Sequence, residues 1–103
     1  MNKRVEMLEK LVASGKADAF ALYALAMEYK NAERPEDALA TFERLREKDV
    51  GYVPMYLMAG RLLLDSGRPH EAKSWLEAGV EVATSKGDGK ARSELIAALD
   101  ECD

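Results

Sequence analysis

The chain is poor in the residues from which chemical sites are built. Among its 103 residues stand one cysteine, Cys102, and one histidine, His70. One thiol makes no internal disulfide, which excludes a small secreted scaffold held by cross-links. Cys102, next to the last residue, reads as an incidental thiol on a frayed terminus, and the alternative is pairing between molecules. One histidine without a cysteine cluster offers no metal site. Ser66, Ser74, Ser85 and Ser93 have no base paired with them, so nucleophilic catalysis finds no support. Gly87-Asp88-Gly89 lacks the lysine and hydroxyl residue that end a phosphate loop, and it follows a helical pattern. The expectation is a protein without catalytic residues, metal or cofactor.

Charge of one sign is lacking as well. There are 15 basic and 19 acidic side chains, a formal charge of −4. A nucleic-acid binder needs a basic excess or stripe, and a protein drawn to anionic lipid needs a cationic run. Neither is present, so no nucleic acid and no membrane is expected as partner. Long apolar runs are missing too. The longest, Leu62-Leu63-Leu64, stops at Asp65, far short of the roughly 18 residues a membrane helix needs. The first ten residues carry charges through what would be the core of a signal peptide. A cytoplasmic location is therefore expected.

Three prolines and seven glycines are few, and residues are 48% hydrophobic and 33% charged. That balance supports one globular domain of long regular elements. The apolar residues recur with a helical period. Leu22, Leu25, Ala26 and Tyr29 follow i, i+3, i+4, i+7, and Ala38, Phe42 and Leu45 follow i, i+4, i+7. Asn31 to Arg34 break the first helix from the second. Pro35 then stands where a helix tolerates proline, with Glu36 and Asp37 in the first turn and Arg44, Arg46 and Lys48 near the end, an order that suits the helix dipole.

The pattern repeats. Arg34-Pro35-Glu36-Asp37-Ala38 returns as Arg68-Pro69-His70-Glu71-Ala72, 34 positions later. The same offset carries Phe42 onto Leu76, Tyr29 onto Leu63, Leu22 onto Tyr56 and Ala26 onto Gly60. The second unit has a helix from about Pro54 to Asp65, a break at Ser66-Gly67, and a helix from Pro69 to about Ser85. Before these lies a helix over about Asn2 to Ala13, with Val5, Leu8, Leu11 and Val12 on one side. Leu8 and Leu11 stand 34 positions before Phe42 and Leu45, so this helix reads as half of a preceding unit. After Gly87-Asp88-Gly89, Ala91, Leu95, Ala98 and Leu99 give one more stripe. The offset fails there, placing Lys90, Ser93 and Glu94 on packing positions, and this helix reads as a cap. No stretch alternates as a strand does.

These residues resemble the tetratricopeptide repeat family, a 34-residue helix–turn–helix with W-x2-L-G-x2-Y in its first helix and A-x3-F in its second. The first unit has Leu22-x2-Leu25-Ala26-x2-Tyr29 and Ala38-x3-Phe42. The second has Tyr56-x2-Ala59-Gly60-x2-Leu63 and Ala72-x3-Leu76. Val50 and Thr84 replace the distal proline, and Gly79 stands where the family favours alanine. The resemblance implies an all-α fold: about six helices as antiparallel pairs in a short right-handed solenoid, with repeats over 19–52 and 53–86, a half-repeat helix over 2–14 and a cap over 88–101. Gly79, inside a helix, is expected to weaken it by about 1 kcal/mol.

The resemblance also implies that the first helices line a concave side and bind a polypeptide. The faces left over from packing carry Phe20, Tyr23, Met27, Lys30 and Asn31 in the first unit. In the second they carry Leu57, Arg61, Leu64 and Asp65, with Met58 at the margin. An apolar second face is either covered by flanking helices or left for a partner. Only Lys30, Asn31 and Arg61 could serve an acidic group, so an amphipathic helix or apolar segment is the expected ligand, in a protein that acts as an adaptor. The alternative is a homodimer through the same face. Trp75 reads as packing, and His70 as a surface residue.

Overall fold

The computed structural model describes residues 2–102. Six α-helices and a short 3-10 turn make up its regular structure: α1 Lys3–Ala13, α2 Ala19–Asn31, α3 Pro35–Lys48, α4 Val53–Asp65, α5 Pro69–Ser85, α6 Gly89–Leu99 and the turn Asp100–Cys102. No strand occurs among the described residues. The helices group into two compact units, which divide between Val50 and Gly51.

The helix starts are written in the local sequence. Asn2 caps α1, its side chain accepting from the amides of Arg4 at 2.9 Å and Val5 at 3.3 Å. Asp18 caps α2 through Ala21, and Asp88 caps α6 through Ala91, so each supplies an acceptor to an amide that has none inside the helix. α3 and α5 use no side-chain cap and begin on proline, whose missing N–H needs no partner there. The arginine before each proline turns back to the acid three positions on. Arg34 Nε lies 2.9 Å from Asp37 and Arg68 Nη2 lies 2.7 Å from Glu71.

Four helices end in one turn. In α1, α2, α4 and α5 an amide beyond the end bonds to a carbonyl five residues earlier, as Arg34 does to Tyr29 at 2.9 Å and Arg68 to Leu63 at 2.8 Å. This closure needs one residue in the left-handed region, most often glycine. Gly67 fills it with φ 72°, and 34 positions earlier Glu33 fills it with φ 59°. Glu33 is the one non-glycine residue with positive φ among those described.

Unit 1 packs Val5 and Leu8 of α1, the Leu22, Leu25, Ala26 and Tyr29 face of α2, and Ala38, Leu39, Phe42 and Leu45 of α3. Phe42 and Leu45 are fully buried. Burial of such a side chain stabilises by about 1.5–3 kcal/mol. Leu11, expected on the packed side of α1, is instead 37% exposed, because no element of its unit lies on that flank. The buried hydroxyl of Thr41 donates to the Asp37 carbonyl at 2.8 Å.

Unit 2 buries Met55, Tyr56, Ala59, Leu62 and Leu63 of α4, Ala72, Trp75, Leu76 and Ala83 of α5, and Leu95 and Ala98 of α6. The crossings are close at two glycines. A Cβ on Gly60 would sit 2.4 Å from Leu76 Cδ2, and one on Gly79 would sit 2.5 Å from Tyr56 Cβ and 2.9 Å from Leu95 Cδ2. Gly79 is thus more than a weak point in a helix: the bare backbone admits both neighbouring helices. Trp75 is buried, its ring tilted against Tyr56 at 6.1 Å. α5 has 17 residues against 14 in α3, and α6 begins at Gly89, two positions later than the 34-residue offset from Val53 would place it.

Candidate functional site

α2 spends Leu22, Leu25, Ala26 and Tyr29 on the core, all buried. Phe20, Tyr23, Met27, Lys30 and Asn31 then share the face left over, because helix neighbours recur every three or four residues. The structure gives these five residues different environments. Phe20 is 68% exposed, the most open large apolar side chain among the described residues. Asn31 is exposed, and Tyr23, Met27 and Lys30 are half-buried. Tyr23 leans inward: its ring centroid is 6.5 Å from that of Phe42, tilted by 57°. It therefore belongs partly to the core.

On α4, Leu57, Arg61 and Leu64 recur at i, i+4, i+7 with Met58 beside them. All four are half-buried. Arg61 is not open to an incoming acid in the way its sequence position suggests. Glu101, from the 3-10 turn, holds it with both oxygens, Nη1–Oε1 at 2.8 Å and Nη2–Oε2 at 2.9 Å. The hydrogen bonds that Arg61 donates to Glu101 raise the Arg61 pKa against the opposing cost of burial. The same bonds hold the Glu101 carboxyl below the ordinary carboxylate range. Nothing in the sequence announced this pair, whose members stand 40 positions apart.

The face of unit 2 is thus apolar at Leu57, Met58 and Leu64, around one cation already neutralised. The face of unit 1 is apolar at Phe20, Tyr23 and Met27, with Lys30 and Asn31 at its end.

Other polar groups point to structure. Tyr29 donates to Glu9 of α1 in an open cleft also lined by Val12, Leu22, Leu25 and Arg44. Burial first, and then the Glu9 hydrogen bond and charge, push the Tyr29 hydroxyl up to about 12. The Arg34 guanidinium lies 4.5 Å from the Tyr29 ring centre. His70 is exposed, and Cys102 is half-buried with its Sγ 3.8 Å from the Ala98 carbonyl. Among the described residues no three His, Cys, Asp or Glu side chains gather as metal ligands, and no helix is long and apolar enough to cross a membrane.

Paired antiparallel helices, repeated at 34 residues and joined by one recurrent turn, define an all-α helical-repeat protein. Comparison with known proteins agrees. The tetratricopeptide repeat profile matches residues 53–85, the α4–α5 pair. A tetratricopeptide repeat domain protein from Salinibacter ruber is 38% identical over 82% of this chain. Its solution structure has a TM-score of 0.77 with 86% of that chain covered, and its crystal structure 0.76 with 96% covered. The solution structure of a Bordetella parapertussis protein has a TM-score of 0.84 at 25% identity, covering 99% of this chain and 89% of that one. A TPR repeat-containing protein of Pseudomonas aeruginosa is 28% identical over 99 residues, 96% of this chain and 94% of that one. The chain belongs to the tetratricopeptide repeat family. Repeats of this family generally serve as protein–protein interaction modules and generally act as non-enzymatic scaffolds.

Proposed function

We propose that this protein is an adaptor whose first helices bind polypeptide, α2 of the first unit through Phe20, Tyr23, Met27, Lys30 and Asn31, and α4 of the second unit through Leu57, Met58, Arg61 and Leu64. The observation that carries this reading is the double apolarity of those helices. α2 buries one apolar face and still presents Phe20 at 68% exposure. α4 buries seven residues and still leaves Leu57, Met58 and Leu64 half-open. Exposed aromatic and Met side chains are costly to hold in water and are what interface cores use.

The ligand that fits is an amphipathic helix or an extended apolar segment. With Arg61 held by Glu101, a terminal carboxylate gains little there. The setting for such an adaptor is the cytoplasm, and no catalytic step belongs to it. Self-association through the same face is the competing outcome.

The test is affinity capture from native lysate with the wild type, Phe20→Glu and Leu57→Glu. Phe20→Glu is the cleaner variant, since an exposed side chain is replaced and the melting temperature should hold. Tyr23 is a poorer choice because its ring packs on Phe42. Partners recovered by the wild type and lost from both variants support the reading. Identical recoveries from all three refute it. Recovery of the chain itself as a stoichiometric pair, lost in the variants, supports the homodimer instead.

A further inference from the structure

α1 has a packing face that nothing in its unit covers. Arg4, Met7 and Leu11 stand 34 positions before Ala38, Thr41 and Leu45 of α3, which are 0%, 7% and 0% exposed. Met7 is 57% exposed and Leu11 37%. Positions that are buried on α3 are thus open on α1 at Met7 and Leu11. An ordinary first helix of a repeat cannot fill it closely. Where Ala38 and Ala72 admit a close crossing, α1 has Arg4, tied to Glu28 of α2 at 3.2 Å. A bulky, tethered residue at that point keeps a helix that crosses over Arg4 at a wider spacing, and leaves the flank beyond Met7 accessible.

The remaining residues of the outer face are self-complementary. At 100° per residue, Lys3 and Ser14 run down its middle, Met7 and Leu11 flank one side, and Glu6 and Lys10 flank the other. In an antiparallel pair related by a two-fold axis, each flank meets its own copy in reverse. Met7 then meets Leu11 of the second copy and Leu11 meets Met7. On the other flank Glu6 meets Lys10 and Lys10 meets Glu6, while Lys3 lies opposite Ser14. Apolar meets apolar, and every carboxylate on the flank meets an ammonium.

We propose that two copies of this chain associate through the outer faces of α1, as a two-fold antiparallel helix pair. The surface is small, so the dimer is weak and reversible. It is separate from the ligand faces of α2 and α4 and does not depend on their function.

The test is sedimentation velocity of the full chain from about 10 to about 500 μM, with far-UV circular dichroism to verify folding of each variant. The wild type should shift from monomer toward dimer across this range. Met7→Glu should weaken association by about tenfold or more, and Phe20→Glu should leave it unchanged. Glu6→Lys or Lys10→Glu alone should weaken it by about fivefold or more, since each sets like charges opposite one another at two places. The double reversal, Glu6→Lys with Lys10→Glu, should restore it. A wild type that stays monomeric throughout overturns the proposal. So does a dimer indifferent to Met7→Glu or lost in Phe20→Glu, or a double reversal no better than the single ones. The rescue arm stands whether or not Met7→Glu folds, because Glu6 and Lys10 are exposed and touch no core.

Discussion

Replacing Gly79 by alanine pits two effects of known size against each other. In an ordinary helix interior the change stabilises by about 1 kcal/mol, because alanine loses less backbone freedom on folding. The family pattern, which favours alanine here, points the same way. The structure points the other way. The new methyl would stand 2.5 Å from Tyr56 Cβ and 2.9 Å from Leu95 Cδ2. Carbon atoms prefer about 3.5–4.0 Å, so about 1 Å of separation must be opened. Tyr56 Cβ is one bond from the backbone, and no rotation removes it. The Tyr56 side chain is fully buried against Trp75, and Leu95 is 1% exposed. Relief must then come from moving α5 off α4 and α6. Overpacking of this kind costs about 1–3 kcal/mol, and a backbone-adjacent clash belongs at the upper end. Set against the propensity gain, the net loss is about 1–2 kcal/mol. For a chain of this size that lowers the melting temperature by about 5–15 °C. The assay is thermal and urea unfolding followed by circular dichroism. Gly89→Ala is the control: its Cβ meets nothing within 4 Å, and it should be neutral or stabilise by up to about 1 kcal/mol. A Gly79→Ala variant that melts at or above the wild type refutes the packing argument.

Three further outcomes follow from single residues. Glu33→Gly should stabilise by about 0.5–1 kcal/mol in the same unfolding assay, because Glu33 holds φ 59° where its repeat counterpart is Gly67. Tyr29 should ionise near pH 12 against its ordinary value of 10.0, read as the difference in absorbance titration between the wild type and Tyr29→Phe. An acid whose folded pKa is raised favours the folded state while protonated, so its contribution is complete below pH 10 and is lost as pH rises from 10 to 12; Tyr29→Phe should remove that segment of the stability profile. In a carbon-detected NMR titration the Glu101 carboxyl should titrate below an unpaired glutamate, and Arg61→Gln should return it to the ordinary range. Its stabilising effect is present above the unfolded pKa and fades as pH falls through the folded one.

The helical period and the 34-residue offset made the architecture readable, since both follow from local spacing. Leu22, Leu25, Ala26 and Tyr29 are buried on α2 as their i, i+3, i+4, i+7 spacing requires. Where the structure adds to the spacing, the physical origin is the same: burial depends on a neighbour as well as on the residue. Leu11 aligned with fully buried Leu45, yet it is 37% exposed, left uncovered by the described residues of its unit. Gly79 looked like a local weakness, and the close approach of Tyr56 and Leu95 that requires it is a contact across three helices. Arg61 looked available because Glu101, which holds it, stands 40 residues away. Tyr23 shares the leftover face of α2 by its spacing, and its ring also meets Phe42, a contact the spacing does not reveal. For the candidate site, the periodicity indicated which residues share a face, while their side-chain partners came only from the fold.

The central claim is that the α2 and α4 faces hold a polypeptide partner, and one measurement tests it most directly. Quantitative mass spectrometry of proteins captured from native lysate should compare the wild type with Phe20→Glu, Leu57→Glu and Met7→Glu, each verified as folded. Binding by the α2 and α4 faces should give a set of proteins depleted by Phe20→Glu and Leu57→Glu and retained by Met7→Glu, whose substitution lies on α1. Equal recovery by all four chains, or depletion by Met7→Glu alone, would contradict it.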